Sequence, residues 1–187
     1  MNKTVTVLTA PGKRLCKYFS SATSELWQSA KYFTASEISL SGIEGFYSLI
    51  SESADLRDRC IIRGRLRADA DHSKPVRRQL NRQRSADPNE EAFEDVPREW
   101  IMIDIDKLAL PSQLKTSTDP AASVNYAISL LPEEFRNKTC VWQLSASCCL
   151  VNDSIFSAHL FFWLSEPLAN EHLRLWAKNV NAQAGIK

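Results

Sequence analysis

Trp100-Ile101-Met102-Ile103-Asp104-Ile105-Asp106 is a short apolar run that ends in two acids one residue apart. Runs of this length, rich in Ile and bounded by polar residues, read as buried strands. Side chains alternate across a strand, so residues two apart share a face. Asp104 and Asp106 are therefore expected to point one way, with Ile103 and Ile105 on the other side. Two carboxylates at a strand end make a hard, anionic corner of oxygen atoms. Mg²⁺ and Mn²⁺ take such ligands, with substrate phosphates completing the shell. The plainer reading is that the acids solvate a strand end. The residues that separate the two readings lie elsewhere in the chain.

Upstream, Cys60-Ile61-Ile62-Arg63-Gly64-Arg65-Leu66-Arg67 opens as a strand and turns basic. Between positions 57 and 84 nine Arg and one Lys face three Asp, and between 87 and 95 five acids follow with no base. Residues 68–98 hold few apolar side chains and include Pro75, Pro88 and Pro97, so they read as a charged loop excursion. Such a loop is either functional or a solvated segment whose two charge blocks attract each other. Nearer the start, Thr4 to Leu8 reads as a strand stopped by Pro11-Gly12, and residues 25–31 as a short helix. Ser41 and Glu44 fit a capping box, with Ile43, Phe46, Tyr47 and Ile50 at helical spacing behind it.

Downstream, Asp119-Pro120 predicts the start of a helix that runs to Leu131 and stops at Pro132. Residues 139–147 read as a strand with Gln143, Ser145 and Ser147 on its polar face. Asn152-Asp153 signals a turn, and residues 155–164 form the partner strand of a hairpin, ended by Ser165-Glu166-Pro167. Residues 168–184 read as a helix. The fold class expected is α+β, a small mixed or antiparallel sheet with helices packed on one face.

The chain has 187 residues, 44% hydrophobic and 24% charged, which suits one domain with an ordinary core. A net charge of +1 excludes a polycation, so any nucleic-acid footprint must be local. No apolar run approaches the roughly 18 residues needed to span a membrane. The first ten residues lack a signal-peptide pattern. Five cysteines, Cys16, Cys60, Cys140, Cys148 and Cys149, stand in no metal-like spacing. They read as free thiols in a reducing cytoplasm.

In the strand at 155–164, Ser157 and His159 share a face and are its strongly polar residues. A single His among aromatics is usually a satisfied core residue. Here Ser157 stands beside it, and the neighbouring strand offers Gln143, Ser145 and Ser147. If these strands flank the Asp104–Asp106 strand, one sheet face gathers carboxylates, hydroxyls, an amide and an imidazole. Such a mixture is costly to bury without a polar ligand. It fits a divalent metal and a polyphosphate.

The two motifs, Asp104-Ile105-Asp106 and Ser157-Ala158-His159 followed by Leu160-Phe161-Phe162-Trp163-Leu164, resemble those of the archaeo-eukaryotic primase superfamily, the primase-polymerases. The forms carried by mobile elements and phages in bacteria are the most similar. The resemblance covers roughly residues 55–187, and rests on the order and separation of two short motifs. It implies one catalytic domain over residues 1–187, the N-terminal part of a longer protein, with an RRM-like portion truncated. It implies a DNA primase or polymerase activity that adds nucleotides on a single-stranded DNA template from nucleoside triphosphates. In this reading Asp104 and Asp106 hold Mg²⁺ or Mn²⁺, and Ser157 and His159 bind the triphosphate. Arg63 and Arg65 are added as nucleotide-binding residues, and Arg67, Arg77 and Arg78 as nucleic-acid contacts, on charge and, for Arg63, Arg65 and Arg67, on the alternation that puts them on one strand face. A helicase domain or partner is the expected companion.

One departure bears on catalysis. The family carries a third motif, an apolar residue then Asp, on a later strand. After His159 the acids are Glu166 and Glu171, and neither matches. The chain is therefore expected to be a fragment or a degenerate relative, weak in primer synthesis by itself. The alternatives are a non-catalytic nucleic-acid-binding or replication-initiation module, and a two-metal nuclease.

Overall fold

The computed structural model describes residues 3–15, 18–19, 24–25, 30–77, 92–150 and 152–183. The fold is α+β, built from antiparallel sheets and three α-helices among the described residues. It divides into two compact units, Met1–Arg98 with Pro167–Leu175 and Glu99–Glu166 with Trp176–Lys187.

The first unit contains β1 (Thr4–Thr9), the two-residue strands β2 (Tyr18–Phe19) and β3 (Ser24–Glu25), and β4 (Tyr32–Ser39). Then come helix α1 (Ile43–Leu56), β5 (Arg59–Ile62), and the short β6 (Arg65–Leu66), β7 (Val76–Arg77) and β8 (Phe93–Glu94). The main sheet has the order β5-β1-β4-β7. β1 lies antiparallel to β4, with Thr6 opposite Glu37, and antiparallel to β5, with Leu8 opposite Cys60. Leu8, Ala10 and Phe33 form a buried cluster, against which Ala35, Cys60, Ile62 and Phe93 pack.

The alternating Thr and Val of β1 suggest one wet face, yet Thr4, Val5, Thr6, Val7 and Leu8 are all buried. Arg98 explains the burial of the threonines. Its guanidinium bonds the hydroxyls of Thr4 and Thr6, the Glu37 carboxylate at 2.9 Å and the Gly64 carbonyl at 3.2 Å, while Nε bonds the Arg63 carbonyl at 3.0 Å. Gly64 is needed there: a Cβ would stand 3.3 Å from the Glu94 carbonyl oxygen. The polar face of β1 is thus closed by a side chain from a distant position, satisfying the rule that buried polar groups find partners.

Several sequence expectations change in this unit. Ser24–Glu25 is a strand, not the start of a helix, while residues 26–29 lie outside the described residues. Helix α1 forms, but its N-cap is Gly42 and no side chain caps it, so the Ser41–Glu44 box does not close. Phe46 and Leu49 are its buried residues and Tyr47 is exposed, because the inward stripe is narrower than the apolar one. Within residues 68–98, β7 pairs with β4 and β8 with β6, anchored by buried Val76 and Leu66. Residues 78–91, including Arg78, lie outside the described residues.

The second unit contains most of β9 (Arg98–Ala109), helix α2 (Pro120–Ser129), a 3₁₀ turn at Glu133–Phe135, β10 (Cys140–Leu144) and most of β11 (Ile155–Leu168). Helix α3 (Asn170–Gln183) contributes its second half. Its sheet has the order β10-β11-β9, so β11 is central and β9 lies at an edge, where the sequence suggests a central strand. β10 and β11 form the expected antiparallel hairpin, with Gln143 opposite His159 and Trp142 opposite Leu160. β10 ends at Leu144, so Ser147 belongs to a turn and not to the strand face. β11 continues to Leu168 through Pro167; the β10 ladder ends at Phe162, so the missing N–H of Pro167 costs no bond to β10.

Phe156, Ala158, Leu160 and Phe162 form the buried face of β11. Phe135 packs edge-on against Phe162 at 4.9 Å between centroids and lies 5.3 Å from Trp176 of α3. Helix α2 starts as expected: Asp119 accepts the Ala122 N–H at 2.9 Å, and Pro120 occupies the first turn. Asp119→Ala is expected to cost about 1 kcal/mol, read by urea denaturation; no change would mean that the bond does not form in solution. No described helix is long and apolar enough to cross a membrane.

Candidate active site

β9 changes character along its length. Its first four residues are buried; after them Met102, Asp104 and Asp106 are exposed while Ile103 and Ile105 are half-buried. The two-residue period therefore puts both carboxylates on one open face. The alternation slips at Lys107, which is exposed directly after Asp106. Lys107 has φ 56°, in the left-handed region, where a residue with a Cβ is uncommon. Its N–H donates to the Ser157 hydroxyl at 2.9 Å. A left-handed φ together with a shift of exposure parity has the character of a β-bulge.

β11 brings the second motif to the same face. His159 Nε2 stands 3.5 Å from Asp104 Oδ1, an ion-pair distance when the imidazole is protonated. The Ser157 hydroxyl lies 3.4 Å from Asp106 Oδ1 and points its proton toward it. Two motifs some fifty residues apart thus meet pairwise, Asp104 with His159 and Asp106 with Ser157, in the crossed order that antiparallel strands impose. Asp104 is 62% exposed and His159 35% at their side chains, so both are open to a ligand. Gln143 is opposite His159 on β10 and shares its face. Phe161 packs edge-on to the imidazole at 6.4 Å between centroids.

Ser157 differs from expectation. It is 7% exposed, accepts from Lys107 and donates toward Asp106. The hydroxyl is spent inside the protein, orienting the carboxylate and the bulge, and His159 is left as the residue of that motif open to solvent. Sequence reasoning missed Lys107 because a left-handed residue is usually signalled by Gly or Asn, and Lys carries no such signal.

The arginines lie in the first unit. The expected single basic strand does not form: β5 ends at Ile62, a bend at Arg63 and Gly64 follows, and β6 covers only Arg65 and Leu66. Arg63 Nε bonds Asn170 Oδ1 at 2.7 Å, and Asn170 in turn bonds Asp95 at 2.6 Å. Burial pushes the Arg63 guanidinium down to about 10, still fully charged at neutral pH. Arg65 pairs with Glu94 at 2.7 Å, a bond that raises its pKa, and Arg67 with Asp69 at 2.9 Å. Arg77 is exposed on β7. The exposed pairs are screened by water and salt, so a phosphate could displace the acid.

Two carboxylates on one face fit a single Mg²⁺ or Mn²⁺, which commonly keeps one or two protein carboxylates and fills its shell with water and phosphate oxygens. No group of three or more His, Cys, Asp and Glu able to hold a metal occurs among the described residues. Glu166 lies seven residues past His159 on β11, about 23 Å along the strand, too far to join them. No protein-family model, no curated protein and no solved structure matches this chain.

Proposed function

We propose that the face carrying Asp104, Asp106 and His159 is a metal-dependent nucleotide site of the primase-polymerase kind, serving DNA synthesis in the replication of a mobile element or phage. The observation that supports it is the pairwise meeting of the Asp104–Asp106 and Ser157–His159 motifs on one open sheet face. Asp104 and Asp106 would hold Mg²⁺ or Mn²⁺. The cation, when bound, polarises phosphoryl oxygens and neutralises developing charge. His159 is exposed enough to donate to a triphosphate oxygen, and Ser157 keeps the Asp106 carboxylate aimed. Phe161 limits the swing of the imidazole. The partners are nucleoside triphosphates and a single-stranded DNA template, with a helicase as companion, in a reducing cytoplasm that keeps the thiols free.

A second reading is a nucleotide- or nucleic-acid-binding module without synthesis. It is favoured by the lack of a third acid beside Asp104 and Asp106 among the described residues. One experiment separates them. Thermal unfolding is followed with Mn²⁺, with a nucleoside triphosphate, and with both. At a ligand concentration of 100 Kd the gain is about 2.7 kcal/mol, which for a chain of this size is roughly 5–10 °C. The metal-dependent site predicts that the shift needs Mn²⁺ and nucleotide together and is lost in Asp104→Ala and Asp106→Ala. Stabilisation by nucleotide alone that survives both substitutions would leave the binding module standing. No stabilisation under any of these conditions, and none by single-stranded DNA either, would remove both readings.

A further inference from the structure

The connection between β10 and β11, residues 145–154, carries two adjacent cysteines that the proposed site does not use. Cys148 and Cys149 are both half-buried, and their sulfurs lie 3.5 Å apart. Neighbouring side chains usually diverge. These meet at a residue of unusual backbone: Cys149 has φ 63°, in the left-handed region. The turn is held on several sides. The Cys148 N–H bonds the Ser145 carbonyl at 2.9 Å, and the Asp153 carboxylate accepts the Ser117 N–H at 2.8 Å and its hydroxyl at 2.6 Å. The Ser157 N–H points at Cys148 Sγ at 3.5 Å. The other described cysteines serve packing: Cys60 joins the cluster of Leu8, and Cys140 faces Phe162 across the hairpin.

We infer that Cys148 and Cys149 are a redox-active vicinal dithiol that closes to a reversible disulfide by exchange with a small disulfide of the glutathione type. The Cys148 thiolate attacks one sulfur of the reagent. A mixed disulfide forms and one reagent thiolate leaves, taking a proton from water. The Cys149 thiol then gives its proton to solvent, its sulfur attacks Cys148 Sγ, and the second reagent thiolate leaves and is protonated. Two electrons pass from the cysteine pair to the reagent, whose S–S bond becomes two thiols. The order follows from the surroundings. Burial, and then the contact with Cys148, pushes the Cys149 thiol up to about 11, so it keeps its proton and can donate it to Cys148 Sγ.

The same geometry makes the bond labile. Adjacent Cα atoms across a trans peptide lie about 3.8 Å apart, below the roughly 4.4–6.8 Å usual for a disulfide. A ring closed at that spacing is strained, and strained disulfides are the easily reduced, regulatory ones. The inference rests on the chemistry of this loop and does not depend on the reading of the Asp104–Asp106 face.

The test uses the full chain, reduced and then equilibrated with oxidised glutathione, alkylated, digested and sequenced by mass spectrometry. The expected product has Cys148 and Cys149 both blocked to alkylation, with the mass of two hydrogens lost and no link to Cys140. Mild reductant should restore both thiols. In Cys149→Ser, Cys148 should stop at the glutathione adduct. Phenylarsine oxide, a reagent for paired thiols, should protect both cysteines from alkylation in the unaltered chain, so the result does not hang on a variant's folding. Full alkylation of both thiols after oxidation, separate glutathione adducts on each, or a bond from either to Cys140 would overturn the inference.

Discussion

Arg98→Ala is expected to lower the unfolding free energy by about 3–5 kcal/mol, the range for removing one partner of a buried ion pair. Total stabilities lie near 5–15 kcal/mol, so the loss takes a large share. The reason is the number of groups that one guanidinium satisfies. Its side chain is 4% exposed, and it bonds two threonine hydroxyls, two carbonyls and the Glu37 carboxylate. Truncation leaves those acceptors without their donor, with Glu37 at 30% side-chain exposure and without its cation. A double-mutant cycle makes the test specific. Arg98→Met with Glu37→Met should cost less than Arg98→Met alone, because the stranded charge is gone. A loss below about 1 kcal/mol for Arg98→Ala would show that water replaces the guanidinium freely.

Phe156→Ala should cost about 3–5 kcal/mol, the usual range for emptying a buried Phe site. Phe156 is fully buried and sits at the start of the β11 face that continues through Ala158, Leu160 and Phe162. It neighbours Ser157 in sequence but points the other way. The stability loss should therefore appear in denaturant midpoints whether or not nucleotide is present. Met102→Ala on the open face of β9, where the residue is 42% exposed, is the matched control and should change stability by less than about 0.5 kcal/mol. Equal losses at the two positions would contradict the assignment of faces.

The parts of the chain that were legible in its sequence are those where one local rule dominates. The Ile-rich run before Asp104, the aromatic run around His159, and the Asp119-Pro120 start are each strong signals of one kind, and each became the expected element. β4 was not read. Its Tyr-Phe-Thr-Ala-Ser-Glu-Ile-Ser mixes polar and apolar residues, and only Phe33 is buried, so the hydrophobic period is weak. It is a strand because β1 pairs with it along six residues, a tertiary cause. Arg98 gave no warning either. An arginine before an apolar strand usually marks a wet boundary; here its partners come from positions 4, 6, 37 and 64, which no local window joins. The basic segment looks freer in sequence than it is, since counting charge cannot see that Arg65 and Arg67 each have an acid within 3 Å. In the candidate site the sequence pairs Asp104 with Asp106 and Ser157 with His159 by period, and joins the two pairs through the resemblance. It could not foresee that Ser157 would turn inward, because that depends on the bulge opposite.

The bulge at Lys107 also answers a question of slippage. β9 lies at the edge of its sheet, and an edge strand with repeated isoleucines could pair one residue out of step. Such a slip would carry Ile103 and Ile105 to the open face and force both carboxylates inward. The left-handed residue removes that freedom. Its N–H meets the Ser157 hydroxyl only in the observed register. One step along toward the C-terminus, Leu108 would have to take the left-handed conformation, which a bulky side chain resists. A peg set beside Asp106 thus guards the alignment of the acids without touching whatever they bind.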